Sequence, residues 1–253
     1  MEKPDCIVLE KINHRFDDKR VLTDINLTVP YGGIFGLLGP SGCGKTTTVK
    51  IMAGILEATS GSVTVLGESM PKLQVMNRIG YMAQSDALYP LLTAGENLAF
   101  FAALYGMKKT LARERIREVM ALVNLTEDLS KAVMAYSGGM KRRLSLAMAL
   151  LHEPEVLILD EPTVGIDPVL RKSIWEALYV LAEKGMTIIV TTHVMDEAEK
   201  CHHLAMIRDG RLIAEGTPLE LQHNSGAASL EEAFICYGKA DGRADGSGGE
   251  HAH

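Results

Sequence analysis

Gly39-Pro40-Ser41-Gly42-Cys43-Gly44-Lys45-Thr46 is the stretch on which the reading of this chain turns. It has the form G-x-x-x-x-G-K-T, a phosphate-binding loop. Ile34-Phe35-Gly36-Leu37-Leu38 before it is a short apolar run suited to a buried strand. From Thr47 to Leu56, the residues Val49, Met52, Ala53 and Leu56 recur at helical spacing. The loop thus falls between a predicted strand and a predicted helix. Its glycines let backbone N–H groups turn inward toward an anion. The start of the helix adds the positive end of its dipole. Lys45 brings a full charge to the terminal phosphates of a nucleoside triphosphate, and Thr46 offers a hydroxyl to Mg2+.

Composition narrows the class. A chain of 253 residues is one large domain, or a domain with a subdomain. A formal net charge of −6 gives no electrostatic case for binding nucleic acid. No apolar run approaches the length that spans a bilayer, and no signal-like segment opens the chain. Cys6, Cys43, Cys201 and Cys236 are widely spaced, as in a protein with reduced thiols in the cytosol. Cys201-His202-His203 lacks the further ligands of a metal site and reads as structure. Cys43 lies inside the phosphate loop, so its alkylation is expected to block nucleotide.

Outward from the loop, the first part of the chain is β-rich. Ile7 to Phe16 begins as a strand, Asp24 to Val29 alternates as a half-buried strand, and Ser62 to Leu66 forms another. After Arg78 to Ala83, Gln84 closes an apolar run and the texture turns helical. Thr93 to Glu96 is a capping box. Leu98, Phe101, Ala102 and Tyr105 stripe one helix, and Ile116, Val119, Met120 and Val123 stripe a second. Residues from about 88 to 150 read as an inserted helical subdomain.

Ser137-Gly138-Gly139-Met140 opens a further helix with Ser137 as N-cap, a second potential anion site. Val156-Leu157-Ile158-Leu159 is apolar on both faces, as a central parallel strand is. It ends in Asp160-Glu161. Carboxylates at the mouth of a buried strand are costly without a task. Asp160 suits Mg2+, and Glu161 is placed to polarise a water as general base. Asp167-Pro168 caps a helix that Gly185 ends. Met186 to Thr192 is β-rich, with His193 at its carboxyl end, where open α/β sheets bind ligands. Asp209-Gly210 makes a hairpin. Thr217-Pro218 and Ser229 to Glu232 each start a short helix, and residues 238–253 read as a disordered tail.

With Gly39–Thr46, Gln84, Ser137–Gly139, Asp160-Glu161 and His193 in this order, the chain resembles the ATP-binding subunit of an ATP-binding-cassette (ABC) transporter over residues 5–236. The implied fold is α/β: a P-loop NTPase (ABC ATPase) core with an N-terminal antiparallel β-subdomain and an inserted helical subdomain. The resemblance implies ATP and Mg2+ as cofactors. It makes Gly39, Pro40, Ser41, Gly42, Cys43, Gly44, Lys45, Thr46 and Thr47 the phosphate site, and Phe16 an aromatic stacked on adenine. It implies Thr46, Gln84 and Asp160 around Mg2+. Glu161 and His193 are the implied catalytic residues, with His193 contacting the γ-phosphate. Ser137, Gly138 and Gly139 correspond to the signature that covers ATP held by a second ATP-binding subunit. Gly165-Ile166-Asp167 matches the D-loop.

Tyr136 and Met140 stand where the commonest signature has leucine and glutamine. Met140-Lys141-Arg142-Arg143 and the run from Glu161 to Pro168 resemble the branch that exports drugs, lipids or polysaccharides. A separate transmembrane permease subunit, location at the cytoplasmic face of the membrane, and no nucleic-acid partner follow from the resemblance. Other readings are an importer's ATPase, a soluble cassette ATPase of DNA repair or translation, and a regulatory subunit with a dead site. A single motif set and intact Glu161 and His193 speak against the last two.

Overall fold

The structure is a computed structural model and describes residues 5–246. Along the chain come strands β1 (Ile7–Phe16), β2 (Lys19–Val29) and β3 (Gly33–Leu38), then helix α1 (Lys45–Met52). β4 (Ser60–Val65), β5 (Glu68–Ser69), α2 (Leu73–Met76) and β6 (Ile79–Met82) follow. Next are α3 (Ala94–Leu104), α4 (Lys109–Leu122), two 3-10 turns, and α5 (Gly138–Leu150). The chain continues through β7 (Val156–Asp160), α6 (Pro168–Glu183), β8 (Thr187–Thr192) and α7 (Met195–Ala198). It closes with β9 (His203–Arg208), β10 (Arg211–Gly216), α8 (Pro218–Ser225) and α9 (Leu230–Gly246). Two compact units divide it. One comprises Pro30–Ile34 and Pro71–Val190, and the other Asp5–Val29, Phe35–Met70 and the chain from Thr191.

In the first unit β7 lies between β8 and β6. All five residues of β7 are buried, which explains its unbroken apolar run. β6 pairs with it in parallel, the last registered pair being Met82 with Leu159. The helical stretch expected near 88–150 is α3 to α5, within this unit. Thr93 caps α3 in the predicted box, with Glu96 bonding back to the Thr93 N–H. α4 and α5 cap each other. Arg115 of α4 donates to the carbonyls of Leu150 and Leu151 at the end of α5, and Arg143 of α5 to those of Val123 and Asn124 after α4. Cations there satisfy orphan carbonyls and oppose the negative end of each helix dipole.

In the second unit β2-β1-β4-β5 form an antiparallel sheet, the β-subdomain read from the sequence. β3 pairs in parallel with β9, which pairs antiparallel with β10 through the Asp209-Gly210 turn. α1 ends at Met52, four residues before the apolar spacing does. Gly54 takes φ 71, and Ile55 and Gly54 donate to the carbonyls of Lys50 and Ile51, a left-handed stop that periodicity does not encode. Toward the C-terminus α9 runs on to Gly246, past Gly238 where a tail was expected. Gly238 is buried against the Arg208 side chain. The rest of that expected tail lies outside the described residues.

Candidate functional site

The predicted residues fall into two sets, one in each unit. In the second unit the phosphate loop follows β3. Gly42 and Gly44 take φ of 79 and 108, values that L side chains rarely adopt. At Gly39 the constraint is contact: a Cβ there would lie 2.2 Å from the Ile207 carbonyl oxygen. The Gly39 N–H donates to the Thr192 carbonyl at 3.3 Å. This bond brings His193, the next residue, beside the loop. Thr192 Oγ1 in turn donates to the buried Glu197 carboxylate and accepts from the Val194 N–H, so both sides of the exposed His193 are anchored. Lys45 is buried, and its Nζ donates to the carbonyls of Gly39 and Pro40 at 2.7 and 3.0 Å. The loop therefore wraps around its own lysine.

Phe16 ends β1 half exposed, with its ring 4.6 Å edge-on from that of His14. The β1–β2 hairpin that carries Phe16 also places Leu22 against Gly44, where a Cβ would meet it at 2.6 Å. An exposed aromatic is thus held on the same hairpin that packs on the loop. Cys43 is buried beneath Gly39, and burial pushes its thiol pKa up against the pull of the Lys45 charge. Alkylation at Cys43, expected to block nucleotide, therefore has to reach a shielded thiol.

In the first unit Asp160 ends β7 with no exposed surface, and Glu161 follows at 8% exposure with φ 50. That left-handed conformation is uncommon for a residue with a side chain. Glu161 Oε2 accepts from Gln84 Nε2 at 3.0 Å. Burial and the Asp160 charge push the Tyr81 hydroxyl up to about 12. Ser137 caps α5 by accepting from the Met140 N–H, and Ser137 and Gly138 are exposed. Tyr136, in place of leucine, is buried and its hydroxyl donates to the Asp128 carbonyl at 2.8 Å. Its hydroxyl therefore finds a partner inside the helical layer, so the buried polar group is satisfied.

Sequence reasoning gave Arg142 no role at the site. Its guanidinium donates to the backbone carbonyls of Ala83, Gln84, Asp160, Glu161 and Pro162. Burial lowers its pKa, opposed by the charges of Asp86, Asp160 and Glu161. An arginine directly after the SGGMK run was the available signal, but its acceptors are backbone atoms. Of the predicted Mg2+ donors, the first unit holds the buried carboxylate of Asp160 and the amide of Gln84, and the second holds the Thr46 hydroxyl; all are oxygen groups. Gln84 Nε2 donates to Glu161, and the amide's other atom, Oε1, is an oxygen acceptor of the type Mg2+ takes. That donor set fits a hard divalent ion.

Strand, glycine loop with an enclosed lysine, and helix define an α/β P-loop protein. A family model described as "ABC transporter" matches residues 22–164. The chain belongs to the ABC transporter family. It is 41% identical over 236 residues to the "Probable multidrug ABC transporter ATP-binding protein YbhF" of Escherichia coli (strain K12), covering 90% of this chain and 41% of that protein. The chain thus spans about two fifths of that relative's length. It is 44% identical over 215 residues to the "Nod factor export ATP-binding protein I" of Burkholderia pseudomallei (strain 1710b), covering 84% of this chain and 71% of the relative. Among solved structures, it is similar to a dimeric, post-hydrolysis ATP-binding cassette bound to ADP and Pi. The TM-score is 0.77 at 25% identity, over 83% of this chain and 98% of that one. Among the described residues no helix is long and apolar enough to cross a membrane.

Proposed function

We propose that the chain binds and hydrolyses ATP and that this drives export of a drug, lipid or polysaccharide through a separate membrane permease at the cytoplasmic face. Gly39 to Thr47 hold the phosphates, with loop N–H groups and Lys45 as donors and the start of α1 as a positive pole. Phe16 stacks on adenine. Thr46, Gln84 and Asp160 would hold Mg2+, which when bound would neutralise charge developing on the transferred phosphoryl group. Glu161 takes a proton from the attacking water, and His193 orients toward the γ-phosphate. Ser137, Gly138 and Gly139 cover the nucleotide of a second ATP-binding subunit.

The observation that carries this reading is Glu161. It is a nearly buried carboxylate, held in a left-handed backbone and bonded to the amide of Gln84. A buried carboxylate on a left-handed backbone is costly, and such cost is characteristic of a group kept for chemistry. The names of relatives from Escherichia coli and Burkholderia support the export direction. Phosphate release from Mg-ATP by the purified chain tests the reading. It is expected to be measurable, and to fall by at least about a hundredfold in Glu161→Gln. Recovery of the chain in detergent extracts together with a multi-helix membrane protein tests the partner. Recovery with ribosomes or DNA instead would sink the transport reading.

A further inference from the structure

We propose that Arg142 is a positioning residue for ATP hydrolysis, holding the backbones of Gln84 and Glu161 in register from its seat on α5. The proposal rests on the reading of Glu161 as general base. A guanidinium has five N–H donors in a planar fork. Here each has its own backbone carbonyl. Nε donates to Pro162 at 3.1 Å, Nη1 to Ala83 and Gln84 at 2.7 and 2.9 Å, and Nη2 to Asp160 and Glu161, both at 2.6 Å. The residue is 6% exposed.

The location gives the contacts their meaning. Registered pairing between β6 and β7 ends at Met82 and Leu159. Ala83 and Gln84 on one side, and Asp160 to Pro162 on the other, lie just beyond it. Where the ladder stops, Arg142 takes over as the link between the two chain segments. Carbonyl dipoles converging on one point repel each other unless a cation sits among them. Arg142 is that cation, and it bonds the carbonyl of Glu161 itself, the residue held at φ 50. The fork thereby fixes the backbone from which Glu161 Oε2 reaches Gln84 Nε2. It also ties both residues to the helix that Ser137 caps, so a displacement of the start of α5 is carried to Gln84 and Glu161 together.

A lysine at 142 keeps the charge but has three donors at one atom, so it serves at most three of the five carbonyls. Asp86 lies at the surface with Oδ1 3.8 Å from Arg142 Nη1, and it accepts from Ser145 Oγ. It offers a second, milder way to loosen the fork.

The test uses the full chain, with steady-state and single-turnover ATP hydrolysis, equilibrium ATP binding and thermal unfolding. Arg142→Lys is expected to lower kcat at least tenfold, with the Kd for ATP within twofold and unfolding still cooperative. Asp86→Asn is expected to lower kcat two- to threefold with the same unchanged Kd. It decides the matter alone if Arg142→Lys does not fold. In a Glu161→Gln background, Arg142→Lys is expected to change the single-turnover rate less than twofold, because the carboxylate it positions is already gone. An equal loss in both backgrounds, an unchanged kcat in the folded variants, or a fall in ATP affinity that accounts for the loss would overturn the proposal. Normal turnover in Glu161→Gln alone would instead overturn the general-base reading, and that result is read without touching Arg142.

Discussion

Gln84 Nε2 donates to Glu161 Oε2 across 3.0 Å, although 77 positions separate the two residues. An amide on a carboxylate orients the acid, which suits the general base proposed at Glu161. Glu161→Gln keeps the shape and removes the basicity. ATP binding should persist, while turnover falls by about 10²–10⁴-fold, the usual worth of a general base. Phosphate release measured beside nucleotide binding checks this. Normal release would remove Glu161 from the mechanism.

Lys45 and Gly39 probe the phosphate loop in different ways. Lys45→Ala removes a buried cation that holds the loop carbonyls, and ATP affinity should fall by at least tenfold. Gly39→Ala forces a Cβ to within 2.2 Å of the Ile207 carbonyl. The loop must shift, and affinity should fall although Lys45 is intact. Isothermal titration with ATP separates the cases. Unchanged affinity in Gly39→Ala would show that the loop tolerates displacement.

Gly138 tests whether a second subunit covers the site. A Cβ there would meet no atom within 4 Å, and the residue begins α5 without a positive φ. Gly138→Ala should leave thermal stability unchanged or raise it by about 0.5–1 kcal/mol, the helix preference of Ala over Gly. If a partner's nucleotide packs on this position, turnover and ATP-dependent dimerisation should fall all the same. Light scattering with ATP gives the answer. Full dimerisation in a stable variant would mean that the Gly138 surface is not used in trans.

Cys43 carries the pH prediction. Its pKa lies above the ordinary thiol value because burial disfavours the thiolate, and the thiolate is the reacting form. Maleimide should label exposed Cys236 before Cys43 near pH 7. The rate at Cys43 should rise from pH 7 to 9 as the thiolate fraction grows. Peptide mass spectrometry over time resolves the two sites. Prior labelling of Cys43 at pH 7 would contradict its shielding.

Local devices were legible in the sequence because their partners sit a few residues apart. Thr93 with Glu96, Ser137 at the start of α5 and Asp167 before Pro168 are caps read from residue type and spacing, and Thr217-Pro218 was read as a helix start. Ser229 to Glu232, whose spacing is that of a capping box, forms only half of one: Ser229 accepts from the Glu232 N–H, but Glu232 turns to the Ala228 N–H. The apolar run of β7 likewise announced a strand buried on both faces.

The sequence by itself determined which groups are present: the glycine loop with its lysine, the acidic pair after a buried strand, and the capped start of α5. Only the tertiary structure decided how they are held. The carbonyls gathered by Arg142 come from positions 18 to 59 residues away, and backbone acceptors carry no residue signature. The left-handed turn at Glu161 belongs to a residue type that does not favour it. Such features arise where strands end side by side and their unpaired carbonyls need a donor, a condition set by register in three dimensions.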